Sequence, residues 1–198
     1  MDEPWRNIPD FKGRHVSLRA LRPDDLTGLV QAFATGLEDV FTTFVPDAET
    51  VQGWFADLMR EQAGGRAHPF LVLDGEGRVA GTTRYMRMSS KHRRLEIGGT
   101  VYAARVQRSG LNTEAKLLLL SHAFEALGCN VVQLRTDWLN TRSRAAIERL
   151  GAKMDGILRA HLIMPDGHVR DTVVYSIVAS EWPGVRANLH ARLRRRDR

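Results

Sequence analysis

The stretch Gln107-Arg108-Ser109-Gly110-Leu111-Asn112-Thr113-Glu114-Ala115-Lys116 is a short polar turn that runs directly into a leucine-rich segment. A glycine at the bend before a helix presents backbone N–H groups without acceptors and the positive end of the helix dipole. Such a helix start suits a phosphate group. The spacing matches neither GxGxxG nor GxxxxGK[ST], which need more glycines or a lysine before Ser/Thr. The stretch therefore predicts a phosphate-binding turn of a different kind.

The segments on either side of this turn predict a strand before it and a long helix after it. Leu95–Tyr102 has the pattern of a strand, and its paired glycines, Gly98 and Gly99, are typical of a bulge or of a ligand close to the backbone. Because this strand leads straight to the turn, we expect it to splay from its neighbour and to pair with a ligand. The helix Asn112–Leu127 ends at Gly128, a normal C′ residue.

Hydrophobic periodicity and turn residues predict the remaining elements in an α/β order. We expect further strands over 14–21, 69–73, 78–88, 131–136, 153–164 and 168–178, and helices from Pro23, over 48–62, from Asn140 to Leu150 and from Trp182. With Leu95–Tyr102 this makes about seven strands. The order predicts one mixed central sheet with helices on both faces, and residues 1–198 as a single domain.

Length and composition are those of an ordinary globular protein. The 198 residues are 43% hydrophobic and 26% charged, which suits one sizeable core. No apolar run approaches the ~18 residues of a membrane span, and the N-terminus lacks the features of a signal peptide. We therefore expect a cytoplasmic protein without a membrane partner. Cys129 is the only cysteine, so an intramolecular disulfide is excluded, and we expect a small buried side chain there.

The formal net charge of +6 is concentrated at the C-terminus, where residues 186–198 contain six arginines and one acid. This basic end of a terminal helix could contact RNA, a ribosome surface or an acidic protein, or it could be a solvated helix end. No interleaved aromatic residues or nucleic-acid motif accompany it. Charge alone therefore does not define a nucleic-acid-binding domain.

The turn also fits the pattern Gln/Arg-x-x-Gly-x-Gly/Ala through Gln107, Gly110 and Asn112. Further motifs follow in order: Asn140-x-x-Ser143, Arg149-Leu150-Gly151-Ala152, Gly156-x-Leu158-Arg159, Asp166-Gly167, Arg170-Asp171 and Glu181-Trp182. From the first strand to Trp182 the chain resembles the GCN5-related N-acetyltransferases (GNAT), in the branch of the enzymes that acetylate ribosomal-protein N-termini. The resemblance implies a sheet with parted central strands that bind acetyl coenzyme A (acetyl-CoA), and direct transfer of the acetyl group to a primary amine.

Asn112 departs from this pattern, which has Gly or Ala at the same place. Asparagine tolerates unusual backbone angles and caps helices well, so we expect the turn to survive. Its side chain must then point away from the pyrophosphate or bond to it.

The resemblance implies a role for residues along the predicted cleft. The coenzyme would contact Ile97, Gly98, Gly99, Thr100, Val101, Gln107, Arg108, Ser109, Gly110, Leu111, Asn112, Thr113 and Asn140. Backbone N–H groups of residues 108–113 would hold the pyrophosphate, and Arg105 or Arg108 would supply charge unless either is a solvated surface residue. The strand at 97–101 would pair with the pantetheine arm. Asn140 would contact pantetheine amides, or cap its helix, or do both.

Two residues are candidates for the chemistry. A primary amine is mostly protonated at neutral pH, so attack needs a base, and Glu96 is our candidate, acting through water; alternatively Glu96 pairs with an arginine such as Arg94. The resemblance places Ser143 where a hydroxyl would stabilise the departing thiolate, although a serine there also satisfies backbone groups. His161 is expected to face the acceptor cleft, and His122 the helix surface or core edge. No histidine spacing indicates a metal site, and we expect none.

The acceptor amine is not specified by any motif. The first two helices, the loop Phe41–Pro46 and the last hairpin would line its cleft, and a protein N-terminus, a polyamine, an aminoglycoside and an amino acid all remain open. A coenzyme-A-binding sensor without turnover and an RNA-associated protein acting through its basic tail are the alternatives from other classes. A homodimer is also compatible with the sequence.

Overall fold

The structure is a computed structural model that describes residues 3–37, 42 and 44–196. Its strands are β1 (Phe11–Lys12), β2 (Val16–Ala20), β3 (Ala67–Asp74), β4 (Val79–Ser89), β5 (Arg94–Tyr102), β6 (Val131–Asp137), β7 (Lys153–Ile163) and β8 (Val169–Val178). Its α-helices are α1 (Glu3–Arg6), α2 (Leu26–Phe33), α3 (Val51–Ala63), α4 (Leu111–Ser121), α5 (Thr141–Glu148) and α6 (Trp182–Arg196). None of the helices in these ranges is long and apolar enough to span a membrane.

All eight strands form one sheet in the order β1-β2-β3-β4-β5-β6-β8-β7. Neighbouring strands are antiparallel except β5 and β6, which are parallel and are connected through α4. The mixed α/β sheet confirms the predicted fold class, but the count of about seven strands missed β1. Phe11–Lys12 pairs with only two residues of β2 and is too short to show a period-2 pattern.

The strands bury two apolar clusters, one on each face of the sheet, because alternate side chains point to opposite faces. Leu71 of β3 lies in the cluster that also contains residues of α2 and α3. Its neighbours Phe70 and Val72 lie in the larger cluster, with residues of α4 and α6. Both faces therefore carry helices, as predicted.

The helix predicted over Asn112–Leu127 is divided in two. Helix α4 ends at Ser121, and a π-helical turn over His122–Ala126 follows it. Gly128 then adopts φ +62°. The left-handed glycine ends the helical segment where the sequence predicts the end.

Strands β5 and β6 pair only at their first residues. The register runs Arg94↔Val131, Leu95↔Val132 and Glu96↔Gln133, and no further pair forms in these fully described strands, although β5 continues to Tyr102 and β6 to Asp137. Each strand keeps its outer neighbour beyond that point. The two central strands therefore part into a V, as predicted, and their facing backbone edges are not used by the sheet.

The irregularity in β5 is built around Gly99. Its φ of +55° is left-handed, and the register between β4 and β5 shifts between Thr82 and Arg84. A Cβ atom at Gly99 would collide with the Arg84 side chain, which crosses the strand there. The predicted bulge is confirmed, and the space that this glycine leaves is filled by an arginine of the protein.

Candidate active site

Helix α4 begins at the predicted turn, with Gly110 as its N-cap residue. Within the described residues, four backbone N–H groups of the turn have no acceptor, those of Arg108, Gly110, Asn112 and Thr113. The Ser109 and Leu111 N–H groups are used inside the turn instead. Arg108 holds a left-handed φ of +61°, which is uncommon for a non-glycine residue. The turn thus offers several unpaired donors at the positive end of a helix.

A cavity of about 400 Å³ opens at this turn and is called the basic cavity here. Six arginines line it, Arg108, Arg142, Arg149, Arg192, Arg195 and Arg196. The last three belong to α6, which is anchored by the buried side chains of Leu189 and Leu193. Arg196 Nη1 donates to the Arg108 carbonyl oxygen at 2.5 Å. Guanidinium groups beside a helix N-terminus make a strong anion site.

Two buried polar atoms beside the basic cavity have no hydrogen-bond partner among the described residues, Asn112 Oδ1 and the Tyr102 hydroxyl oxygen. Burial raises the pKa of Tyr102 well above its ordinary value, so the hydroxyl keeps its proton and can donate. Buried polar groups are normally paired, and an orphan atom needs an explanation. Both residues line the basic cavity. Asn112, which stands where the family pattern has Gly or Ala, therefore adds a polar side chain to the site.

The V between β5 and β6 contains a second cavity of about 450 Å³, the central cavity. Thr100 and Val101 line one side, Leu134 lines another, and the first turn of α5 closes it with Asn140 and Ser143. Asn140 caps α5, because its Oδ1 accepts a hydrogen bond from the Ser143 N–H at 2.8 Å. Capping and cavity lining are thus combined in Asn140.

A third cavity of about 430 Å³, the distal cavity, adjoins the central one. Thr100, Val101 and Ser143 line both. At the other end, Tyr102 and Asn112 line both the central and the basic cavity. The three cavities therefore adjoin one another in a row, from the arginines of α6, through the V, to the distal cavity, and this row is called the path here.

Glu96 lies at the last residue pair before the strands part, and its side chain lines the distal cavity. The residue is only 4% exposed. Its Oε2 accepts from Arg87 Nη1 at 2.8 Å and lies 3.1 Å from Arg135 Nε. Glu96 is thus ion-paired, but with Arg87 and Arg135, whereas Arg94 is the partner that the sequence suggests. Two guanidinium groups fix this carboxylate at the edge of the cavity.

Lys116, which the sequence analysis did not single out, is a buried cation beside Thr100 of β5. It projects from α4, is 5% exposed and lines the central cavity. Its Nζ donates to Thr100 Oγ1 at 3.0 Å and to Thr83 Oγ1 at 3.4 Å. Burial lowers the pKa of Lys116 to about 7. The sequence does not indicate that Lys116 is buried, because a lysine in a leucine-rich helix is normally predicted to lie on the exposed face of that helix.

The remaining candidates from the sequence lie in different places. The Arg105 guanidinium pairs with Asp74, and Arg105 does not line the basic cavity. His161 lines the distal cavity. His122 stacks on a core tyrosine at the core edge, and burial lowers its pKa. Cys129 is buried, as predicted, and burial raises its pKa to about 12.

The loop Phe41–Pro46 is described only in part, since Phe41 and Thr43 lie outside the described residues. Thr42 and Val45 line the central cavity, and Phe44 lines the distal one. The described part of the chain contains no group of three or more His, Cys, Asp or Glu side chains arranged to hold a metal ion.

Known proteins share both this fold and this sequence pattern. The profile of the acetyltransferase (GNAT) domain matches residues 15–153. YdaF of Bacillus subtilis strain 168, named provisionally as a ribosomal N-acetyltransferase, is 28% identical over 183 residues, which cover 86% of this chain and 94% of YdaF. A provisionally assigned acetyltransferase from T. thermophilus is 36% identical, with a TM-score of 0.83 over 94% of this chain and 98% of that one.

A more distant structure, Mycobacterium smegmatis RimJ in complex with CoA-disulfide, has the same fold. Its TM-score is 0.75 at 24% identity, over 89% of this chain and 88% of that one. The profile match spans the strands that form the V and the turn before α4 that lies between them in the chain. The chain belongs to the GNAT family of N-acetyltransferases.

Proposed function

We propose that this protein transfers an acetyl group directly from acetyl-CoA to a primary amine. The observation that carries the proposal is the row of three adjoining cavities, with a cluster of arginines at one end and a buried carboxylate at the other. The GNAT family uses acetyl-CoA, and the distant relative RimJ was solved with a coenzyme A derivative. The residues of the path suit such a coenzyme in charge, in unpaired donors and in open strand edge.

The basic cavity suits the phosphate end of the coenzyme. Unpaired N–H groups of Arg108, Gly110, Asn112 and Thr113 would bind the pyrophosphate, and the arginines of α6 would add charge. The pantetheine arm would lie along the free edge of β5 at residues 97–101, as an added strand would. Gln107 lines both the basic and the central cavity. Its side chain donates a hydrogen bond to the Tyr102 carbonyl oxygen and accepts one from Arg142. Asn140, which lines the central cavity, would contact the amides of the arm.

Acetyl-CoA supplies the acetyl thioester, and residues of the protein would supply two proton transfers, one from the amine nitrogen and one to the sulfur. Glu96 would take the amine proton through a water molecule as the nitrogen bonds to the acetyl carbon. Ser143, which lines both the central and the distal cavity, would donate to the sulfur as its bond to carbon breaks. The proton lost by nitrogen and the one gained by sulfur balance through solvent.

For the acceptor, we propose a protein N-terminal amine, of which a ribosomal protein is one example. The name of YdaF supports this choice, because that protein is named provisionally as a ribosomal N-acetyltransferase. The alternative acceptor is a small-molecule amine, such as a polyamine, an aminoglycoside or an amino acid. The distal cavity, with Glu96 and His161 in its wall, would receive the amine.

The test measures thiol release from acetyl-CoA with a panel of peptides, polyamines, aminoglycosides and amino acids, alongside calorimetric binding of coenzyme A. Glu96→Gln should lower kcat by about 10²–10⁴-fold while coenzyme affinity is retained. Ser143→Ala should lower kcat without changing the affinity for the amine. Glu76→Gln, at a carboxylate that is 72% exposed in the β3–β4 turn, is the matched control and should change neither.

A coenzyme-A sensor without turnover is the second candidate function. The observation in its favour is the pairing of Glu96 with Arg87 and Arg135, which occupies Oε2 of the base. Tight coenzyme binding with no thiol release from any acceptor would favour the sensor and overturn the enzyme proposal. Release with one acceptor class, lost in Glu96→Gln, would exclude the sensor.

A further inference from the structure

The charge of the distal cavity indicates which amines it can accept. Four arginines line it, Arg84, Arg87, Arg135 and Arg170, whereas Glu96 is the one carboxylate among the described residues of the wall. This excess of positive charge lies where the acceptor would bind. It is separate from the positive charge of the basic cavity, which lies at the other end of the path. A polycationic acceptor would meet net repulsion at this site.

The ion-pair partners of these arginines account for some but not all of the charge. Glu96 forms ion pairs with both Arg87 and Arg135. Arg84 Nη1 pairs with Glu61 Oε2 of α3 at 3.0 Å. Among the described residues, Arg170 has no carboxylate within ion-pair distance, and its Nε donates only to Thr172 Oγ1 at 3.0 Å.

Two acids, Asp137 and Glu96, attract the Arg170 guanidinium from beyond ion-pair distance, and each is paired with another residue. Asp137, on the neighbouring strand β6, pairs instead with His168 Nε2 at 2.9 Å. The buried Nε of Arg84 also has no hydrogen-bond acceptor in the described part of the chain, whereas the Nε of Arg135 lies 3.1 Å from Glu96 Oε2 and is ion-paired with it. Among the described residues, the cavity wall thus holds one half-buried guanidinium without a carboxylate at ion-pair distance and one buried guanidinium donor without an acceptor.

Guanidinium groups without partners raise the free energy of the folded protein when no ligand is bound. Burial lowers the pKa of both Arg170 and Arg84, which shows that both cations are partly stripped of water. An unpaired buried charge is strongly unfavourable, and arginine binds a carboxylate through two parallel hydrogen bonds. A carboxylate brought by the acceptor would supply the missing charge and acceptors together.

We propose that the acceptor is a primary amine that carries a carboxylate close to the amine, and that Arg170 binds this carboxylate. The inference rests on the proposed function and narrows its substrate class. An acidic side chain directly after a peptide N-terminus and the α-carboxylate of an amino acid share this chemistry. Polyamines and aminoglycosides, which lack a carboxylate, are excluded as preferred acceptors.

The experiment compares acceptors that differ only in the carboxylate. Ala-Glu-amide and Ala-Gln-amide test a side-chain carboxylate, while alanine and alaninamide test an α-carboxylate. We expect kcat/KM to favour the acid of at least one pair by about tenfold or more, as for a charged hydrogen-bonded pair. Arg170→Gln and Arg170→Lys should reduce this preference, and Arg170→Glu should reverse it toward Ala-Lys-amide. Arg159→Gln, at an arginine that is 81% exposed on the adjacent strand, should leave it unchanged.

Binding of the acetylated products separates this inference from the proposed function. Calorimetry with N-acetyl-Ala-Glu-amide and N-acetyl-Ala-Gln-amide, and with N-acetylalanine and its amide, needs no turnover. Tighter binding of an acidic product, lost in Arg170→Gln, supports the inference even if no acceptor is acetylated and the enzyme proposal fails. Equal or undetectable binding within both pairs, or spermidine as the best acceptor, overturns it. Thermal melting confirms that each variant is folded.

Discussion

Replacing Lys116 by methionine tests the electrostatics of the V most directly. The ordinary lysine pKa of 10.5 is lowered to about 7 by burial in the folded protein. Each pKa unit corresponds to about 1.4 kcal/mol, so below pH 7 the buried charge costs roughly 5 kcal/mol. Two hydrogen bonds to Thr83 and Thr100 are lost in the variant, each contributing about 1 kcal/mol. The threonines keep each other as partners at 2.7 Å. We therefore expect Lys116→Met to be more stable by about 2–4 kcal/mol at pH 6.

The difference in the free energy of unfolding between Lys116→Met and the wild type should depend on pH, and this dependence tests the argument most specifically. Between about 7 and 10.5 the unfolded chain binds a proton at Lys116 that the folded chain does not, so the free energy of unfolding of the wild type rises with pH. From pH 6 to pH 9 the cost of the buried lysine falls by about 3 kcal/mol. The gap between variant and wild type should shrink by that amount.

Urea unfolding followed by tryptophan fluorescence at pH 6, 7.5 and 9 measures the gap. Other titrating groups are common to both proteins and cancel in the difference. A gap that does not change with pH, or a wild type that is the more stable protein at pH 6, would refute the argument. Lys116 would then be solvated or paired with a negative charge.

Three further predictions follow from the bulge, the capping residue and the basic cavity. Gly99→Ala should destabilise the protein by about 1–3 kcal/mol in urea unfolding, because a left-handed φ of +55° is combined with a collision with Arg84; Gly53→Ala, in helix α3 with open space around it, should be neutral or stabilising. Asn140→Ala should cost about 1 kcal/mol of stability through the lost cap of α5, and an unchanged urea midpoint would contradict that role. Arg195→Gln should raise KM for acetyl-CoA several-fold at low salt with kcat unchanged, whereas Arg194→Gln, at an exposed residue of the same helix outside the cavity wall, should not.

The sequence predicted those parts of the site that depend on local backbone chemistry. The glycine pair in β5 identifies the bulge, because the φ of +55° at Gly99 suits few other residues. Gly110 identifies the turn by its place before a helix, although its own φ of −72° is that of an ordinary residue. The parting of the strands also followed, since a strand weakened by two glycines leads directly to the turn. Asn140 as an N-cap is equally local.

Side-chain partners across the sheet could not be predicted in the same way. Glu96 pairs with Arg87 of β4 and Arg135 of β6, and no pattern along one strand indicates which arginines face it. Lys116 resembles a surface residue of a helix until α4 is placed against Thr100. Strand β1 has only two residues, too few for any periodicity. These features depend on register and packing, which are decided by the whole chain.

The basic C-terminus shows why charge and packing must be read together. Its arginines suggest a tail that could be deleted to test RNA binding, but α6 buries Val185, Leu189 and Leu193 against the core. Deleting residues 186–198 would remove two of these three side chains, and the loss of each buried leucine costs about 2–5 kcal/mol. A loss of function on deletion would therefore reflect unfolding as much as any lost partner. Charge-neutralising substitutions keep the leucines in place, so only they can separate a role in coenzyme binding from a role in contacting RNA.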